Sequence, residues 1–230
     1  MNNYEYIKEM LLLQQKLNDE TNGLGWENGY TKNGRIINWK RCIYMESAEL
    51  IDSFNWKHWK DIDSDIDWDN AVVEIVDIWH FIMSLALENY KLNSRGDIDK
   101  LTKDILDTQG FEDFSKEAYA VDSTSFMEII NDIESIINIT TGFNFDIFDT
   151  LMKEYFRLSL KCGVNLKILH KFYLAKNVLN QFRQDNGYKE GTYKKVWGAK
   201  EDNVVMLEIL NSNDFRAEKL YKELEKLYNA

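Results

Sequence analysis

Four carboxylates in this chain combine a spacing and a setting that can do chemistry. Glu46 and Glu49 lie three residues apart in Met45-Glu46-Ser47-Ala48-Glu49-Leu50. After a gap of twenty-four residues, Glu74 and Asp77 repeat the interval within Val72-Val73-Glu74-Ile75-Val76-Asp77-Ile78-Trp79-His80-Phe81-Ile82. Positions three apart share a helix face. The second stretch is apolar almost all round, the mark of a buried helix, and a carboxylate left unpaired in such a setting is very costly. No comparable run of lysines lies in the same helix centres. The simplest counter-charge is therefore a cation from solution, held where two packed helices bring the four side chains together. Oxygen-only ligands indicate Mg²⁺, with Mn²⁺ as a substitute, and octahedral Mg²⁺ leaves positions for water and substrate phosphates. Either pair alone reads as a solvated or salt-bridged helix face; two pairs in apolar settings favour a metal centre.

His80, three residues after Asp77, opens a rival reading, because carboxylate-bridged di-iron sites use Glu-x-x-His on two helices. Glu46-x-x-Glu49 contains no histidine, and His58 and His170 sit in unrelated contexts. A lone helical histidine is more often a hydrogen-bonded core residue.

Charge is distributed in a matching way. The net charge is −11, yet residues 153–200 hold eleven Lys and Arg against Glu154, Asp185 and Glu190, a local +8 that leaves −19 for the rest. An acidic chain with one basic segment is a poor binder of nucleic-acid polymers, but it can hold a small polyanion beside a cluster of carboxylates.

Helices must position these groups. Apolar residues recur with helical spacing over Tyr6–Leu17, Ile37–Phe54, Ala71–Tyr90, Phe126–Ile139, Phe145–Leu160, Leu166–Phe182, Val204–Leu210 and Phe215–Leu227, and almost nothing alternates like a strand. Asp67 or Asp69 is placed to cap the third helix and Ser123 or Ser125 the fourth, while Asn22-Gly23, Gly96, Gly110, Gly142 and Gly163 mark breaks. Proline is absent, which leaves helices uninterrupted, although a biased genome accounts for that equally well. The expected fold is an all-α helical bundle with a four-helix metal-binding core, one domain over residues 1–230. The break near Gly110 marks residues 92–125 as a candidate inserted helical region. Two loops carry residues suited to binding or catalysis. One is the acidic Asp61–Asp69; the other is Asp185–Asn203, with glycines, lysines and aromatic rings, longer than a bundle connection needs.

Hydrophobic residues make up 44% of the chain and charged residues 29%, a composition that folds. The first residues, MNNYEYIKEM, lack the basic and apolar regions of a signal peptide, and no run approaches the roughly 18–20 apolar residues of a membrane span. A cytoplasmic location without membrane partners is expected. Cys42 and Cys162 are the two cysteines, without C-x-x-C spacing, and read as buried thiols.

Glu-x-x-Glu followed by Glu-x-x-Asp is similar to the motif of the all-α NTP pyrophosphatases. The stretch Lys176-Asn177-Val178-Leu179-Asn180-Gln181-Phe182-Arg183-Gln184-Asp185-Asn186-Gly187-Tyr188-Lys189, with Gly191-Thr192-Tyr193-Lys194-Lys195-Val196-Trp197 and Glu201-Asp202-Asn203, resembles the dimeric dUTPases. Gln14-Gln15-Lys16-Leu17-Asn18, Gly23-Leu24-Gly25-Trp26 and the residues from Asp52 to Lys60 agree with it.

The resemblance implies hydrolysis of dUTP to dUMP and pyrophosphate, and of dUDP to dUMP and phosphate, by a Mg²⁺-dependent homodimer whose water attacks the β-phosphorus. Glu46, Glu49, Glu74 and Asp77 would be the metal ligands, with Glu49 first and Glu46 second as the base that activates water. Lys176, Arg183, Lys189 and Lys195 are the phosphate candidates, the first two separated by two helical turns. Uracil presents an amide-like edge, so Gln14, Asn18 and Asn180 can match its donors and acceptors while Trp56 or Phe81 stacks on the ring. Two other classes stay open: a related pyrophosphatase for another nucleotide such as dCTP, and a non-catalytic helical dimer.

Overall fold

The computed structural model describes residues 1–60, 65–117, 125–143, 146–212 and 216–229, and its chain divides into two compact units, Met1–Leu169 and His170–Ala230. Among the described residues the elements are α1 (Asn3–Asn22), α2 (Trp39–Ile51), α3 (Trp68–Leu92), α4 (Ile98–Leu106), α5 (Phe111–Phe114), α6 (Phe126–Thr141), α7 (Phe148–Lys161), α8 (Leu166–Asp185), β1 (Val196–Trp197), β2 (Lys200–Glu201), α9 (Asp202–Ser212) and α10 (Ala217–Tyr228). The fold is all-α, as expected, with one minimal ribbon.

Local chemistry sets where the first helices begin. Asn2 and Glu5 form a reciprocal capping box on α1, Asn2 Oδ1 accepting from the Glu5 amide and the Glu5 carboxylate from the Asn2 amide. Asn38 caps α2 by accepting from the Arg41 amide, and Asp67, rather than Asp69, caps α3 by accepting from the Asn70 amide at 2.9 Å. Ser125 occupies the N-cap of α6 without a capping bond from its side chain. Ser123 lies outside the described residues, as do Asp61–Ser64 of the acidic loop and the expected helix starts at Phe145 and Phe215. α1 ends at Gly23, whose φ of 94° and approach to Lys32 (2.7 Å from where a Cβ would stand) both require glycine.

In the first unit α3 is the central element. It lies against α2, α1 and α7, while α6 packs on α2 and α7. Trp79 of α3 stacks on Tyr155 of α7 at 5.1 Å, and the Tyr155 hydroxyl donates to the Ile75 carbonyl at 3.0 Å. By length and mean hydropathy α3 alone among the described helices passes as a membrane span, but 72% of its most apolar window is buried. That identifies a core helix. Residues 92–125, which carry no recognisable motif, include α4, packed on α1 and α3, and α5, packed on α7 through Phe114 stacked on Phe156 at 4.7 Å.

In the second unit α9 packs on α10, and β1 pairs with β2 antiparallel, turned at Gly198 with a φ of 65°. The segment expected to loop from Asp185 to Asn203 therefore holds a two-stranded ribbon and the first two residues of α9. Fully buried Phe182 is surrounded by the rings of Tyr193, Trp197, Tyr221 and Tyr228.

Candidate metal and nucleotide site

Three of the four carboxylates converge. Glu46 from α2 and Glu74 and Asp77 from α3 each offer an oxygen within 4.8 Å of the others. The helix period places Glu74 and Asp77 on the face of α3 that meets α2, the element it packs against most extensively. Glu74 is buried, and Glu46 and Asp77 are half-buried. Glu49 stands one turn beyond Glu46, exposed and outside this group. The electrostatic influence of the cluster reaches the turn before it: burial, and then the charge of Glu46, push the Cys42 thiol up. His80 is not among the converging ligand atoms.

Instead, His80 joins a polar network with two of the predicted base-contacting residues. Its Nδ1 lies 2.6 Å from Gln14 Oε1, and Gln14 Nε2 donates to Ser84 Oγ at 3.0 Å and to Asn18 Oδ1 at 3.2 Å. Asn18 Nδ2 also donates to Ser84 Oγ at 3.0 Å, and that hydroxyl donates to the His80 carbonyl. With the Gln14 amide donating to Ser84 and Asn18, its carbonyl requires a proton on His80 Nδ1. Gln14, Asn18, His80 and Ser84 are all buried. Ser84 follows Asp77 by seven residues, roughly 10 Å along the helix, so the network and the carboxylates share one face of α3. His80 is thus the hydrogen-bonded core residue that its setting in the sequence suggests, whereas Ser84 is not marked there as a site residue. The spacing of Ser84 from Asp77, seven residues, is the signal that marks it.

The predicted aromatic contacts are separated. Phe81 stacks on Trp39 at 6.1 Å with 29° between the rings. Exposed Trp56 donates its indole N–H to Asp52 at 3.0 Å and meets Trp59 edge-on at 5.3 Å. Hydrogen bonds from Lys57, then Trp56, hold the Asp52 carboxyl below the usual carboxylate range. Farther along α3, burial pushes the Glu88 carboxyl up to about 7, with the Trp39 indole opposing and the Glu27 charge adding to the rise. A groove of about 650 Å³ nearby, lined by Leu12, Gln15, Glu27, Leu87 and Tyr90 among others, includes none of the predicted site residues in its lining.

The cations occupy the second unit. Arg183 binds Asp202 bidentately, Nε to Oδ2 and Nη2 to Oδ1, both at 2.8 Å, and Nη1 donates to Asn180 Oδ1 at 3.3 Å. Buried Lys176 donates to Asn203 Oδ1 at 2.9 Å. Asp202 is fully buried. Burial raises its pKa, but the hydrogen bonds and charge of Arg183 outweigh that and hold the carboxyl below its ordinary value. Lys189 and Lys195 are exposed, the latter paired with Glu201 at 3.2 Å. Asp202 was legible in the sequence as part of a motif but not as the partner of Arg183.

A family model described as dUTPase matches residues 6–188. The match includes all four carboxylates and the Gln14 network, and ends before Lys189 and Lys195. A comparison with curated proteins finds no match.

Proposed function

The chain belongs to the dUTPase family, a dUTP diphosphatase acting on a small nucleotide, and from that premise we propose that it works with Mg²⁺ held by Glu46, Glu74 and Asp77. The convergence of three carboxylate oxygens from two helices carries this reading. An all-oxygen donor set suits a hard divalent cation, and three protein ligands leave room for water and phosphate oxygens. When bound, the ion supplies neutralisation of phosphate charge and acidification of water.

The chain's own residues do the rest. Glu49 takes the proton from the attacking water, the water oxygen bonds to phosphorus, and the bond between the α- and β-phosphates breaks to leave dUMP and pyrophosphate. Lys189 and Lys195, the exposed cations of the basic segment, bind the phosphates with Lys176 and Arg183. Asn18 contacts uracil: the hydrogen bonds to Gln14 and Ser84 use one of its two N–H groups and one carbonyl lone pair. Gln14 completes the base contacts, with Trp56 or Phe81 stacking on the ring.

Purified protein offered dUTP, dCTP, dTTP and UTP with Mg²⁺ tests reaction and base choice together. dUMP and pyrophosphate from dUTP alone are expected, with loss of turnover in EDTA. Full activity in EDTA removes the metal from the reading, and equal turnover of dCTP removes the base site.

A further inference from the structure

The last helix, α10, grips the basic loop at two points. At the loop's start, the Tyr221 hydroxyl donates to Asp185 at 2.7 Å. In its middle, Tyr228 stacks on Tyr193 at 5.3 Å with 10° between the rings, and its hydroxyl accepts from the Lys194 amide at 3.2 Å. Tyr193 in turn donates its hydroxyl to Asp202 at 2.8 Å, the carboxylate that holds Arg183. An unbroken series of contacts therefore runs from the end of α10, through one loop residue, to the ion pair of half-buried Arg183 with fully buried Asp202. The side chains of Lys189, between the two grips, and of Lys194 and Lys195, at the second grip and just past it, stay exposed. Burial and then Asp202 push the Tyr193 hydroxyl up, and burial and then Asp185 push that of Tyr221 up to about 12, so both remain proton donors near neutrality. None of α10 lies within the residues matched to the family.

We propose that α10 is a positioning clamp, in which Tyr221 and Tyr228 hold the loop of Lys189, Lys194 and Lys195 in the conformation that receives the triphosphate. This rests on the reading that Lys189 and Lys195 bind phosphate. A loop ordered during folding does not lose its conformational freedom again on binding, so the clamp lowers the ordering cost of substrate uptake. Neither tyrosine touches the reacting atoms. Their loss belongs in KM, with kcat little changed, as for an interaction equally strong in ground and transition states.

The test uses the full chain carrying Tyr228→Ala, Tyr228→Phe or Tyr221→Phe, with helicity checked by circular dichroism. Without nucleotide, trypsin cleavage after Lys189, Lys194 and Lys195 reports opening of the loop; with dUTP and Mg²⁺, KM and kcat are measured separately. For Tyr228→Ala, cleavage roughly tenfold faster and KM up roughly tenfold at near-constant kcat are expected. Tyr228→Phe, which keeps the stacked ring, restores most of both. Unchanged cleavage in a folded Tyr228→Ala protein overturns the clamp, and faster cleavage with unchanged KM overturns its role in phosphate uptake. If the alanine variant fails to fold, the two phenylalanine variants decide: faster cleavage after Lys189 in Tyr221→Phe supports the clamp, and wild-type cleavage in both overturns it. Wild-type protein that fails to hydrolyse dUTP would instead overturn the underlying reading, since the protease measurement needs no turnover.

Discussion

At the scale of single residues, the carboxylates separate into a converging three and an exposed fourth. Glu49→Gln keeps the shape of the side chain and removes its basicity. Turnover is expected to fall roughly 100-fold or more with the helical spectrum intact, and near-normal rates at saturating Mg²⁺ would rule out Glu49 as the base. Glu88 supports a prediction about stability. Its carboxyl is raised to about 7 in the folded chain, so the native state holds its proton more tightly than the unfolded state does. The stabilisation is complete below the unfolded value, about 4.3, and is lost as pH rises to 7. A glutamine side chain at this position imitates the neutral acid at every pH. Urea denaturation of Glu88→Gln should match wild type at pH 4 and exceed it at pH 8 by on the order of 1 kcal/mol, allowing for partial solvent screening. Equal stability of the two proteins at pH 8 would refute the burial argument.

At the scale of elements, α3 carries most of the chemistry because one helix face presents Glu74, Asp77, His80, Ser84 and, farther along, Glu88. The apolar run made this helix and its two carboxylates legible in the sequence. The hydrogen bonds that Gln14 and Asn18 make to Ser84 were not, because their partner lies 70 and 66 residues away along the chain, and local periodicity contains no information on which faces meet. α5 shows the same limit. Four residues are too few for a periodic pattern, yet fully buried Phe114 joins this short helix to α7 by stacking on Phe156. Phe114→Ala should cost about 3–4 kcal/mol, measured as a shift in the urea midpoint. A change below about 1 kcal/mol would mean that α5 contributes little to the first unit.

At the scale of the whole molecule, substrate range and assembly can be tested. If recognition centres on the α- and β-phosphates, the γ-phosphate is dispensable, and dUDP should yield dUMP and phosphate. Complete inertness of dUDP under conditions where dUTP is rapidly cleaved would instead require recognition of the γ-phosphate. A homodimer is also proposed. The apolar surface of α3 no longer argues for it, because that surface is covered within the structure. Trp59 and Trp68, 61% and 45% exposed, are among the exposed apolar side chains that a partner would cover. Light scattering on an active preparation should give the mass of two chains, and a concentration-independent monomer would refute the dimer.

The all-α class, eight helices to within about three residues at every end but the C-terminal end of α1, and the carboxylate motif are legible in the sequence, because each is written in short-range spacing: a 3.6-residue period, a cap, a pair three apart. Family membership was legible for the same reason, as motifs of fixed local spacing. Long-range packing sets the rest: Glu46 converges with Glu74 and Asp77 while Glu49 stands apart, Gln14 and Asn18 bond to Ser84, and Arg183 is held by Asp202. Spacing along a helix states which residues share a face. Which faces then meet is settled by packing of apolar side chains far apart in the chain, and the polar groups carried on those faces acquire their partners from that packing.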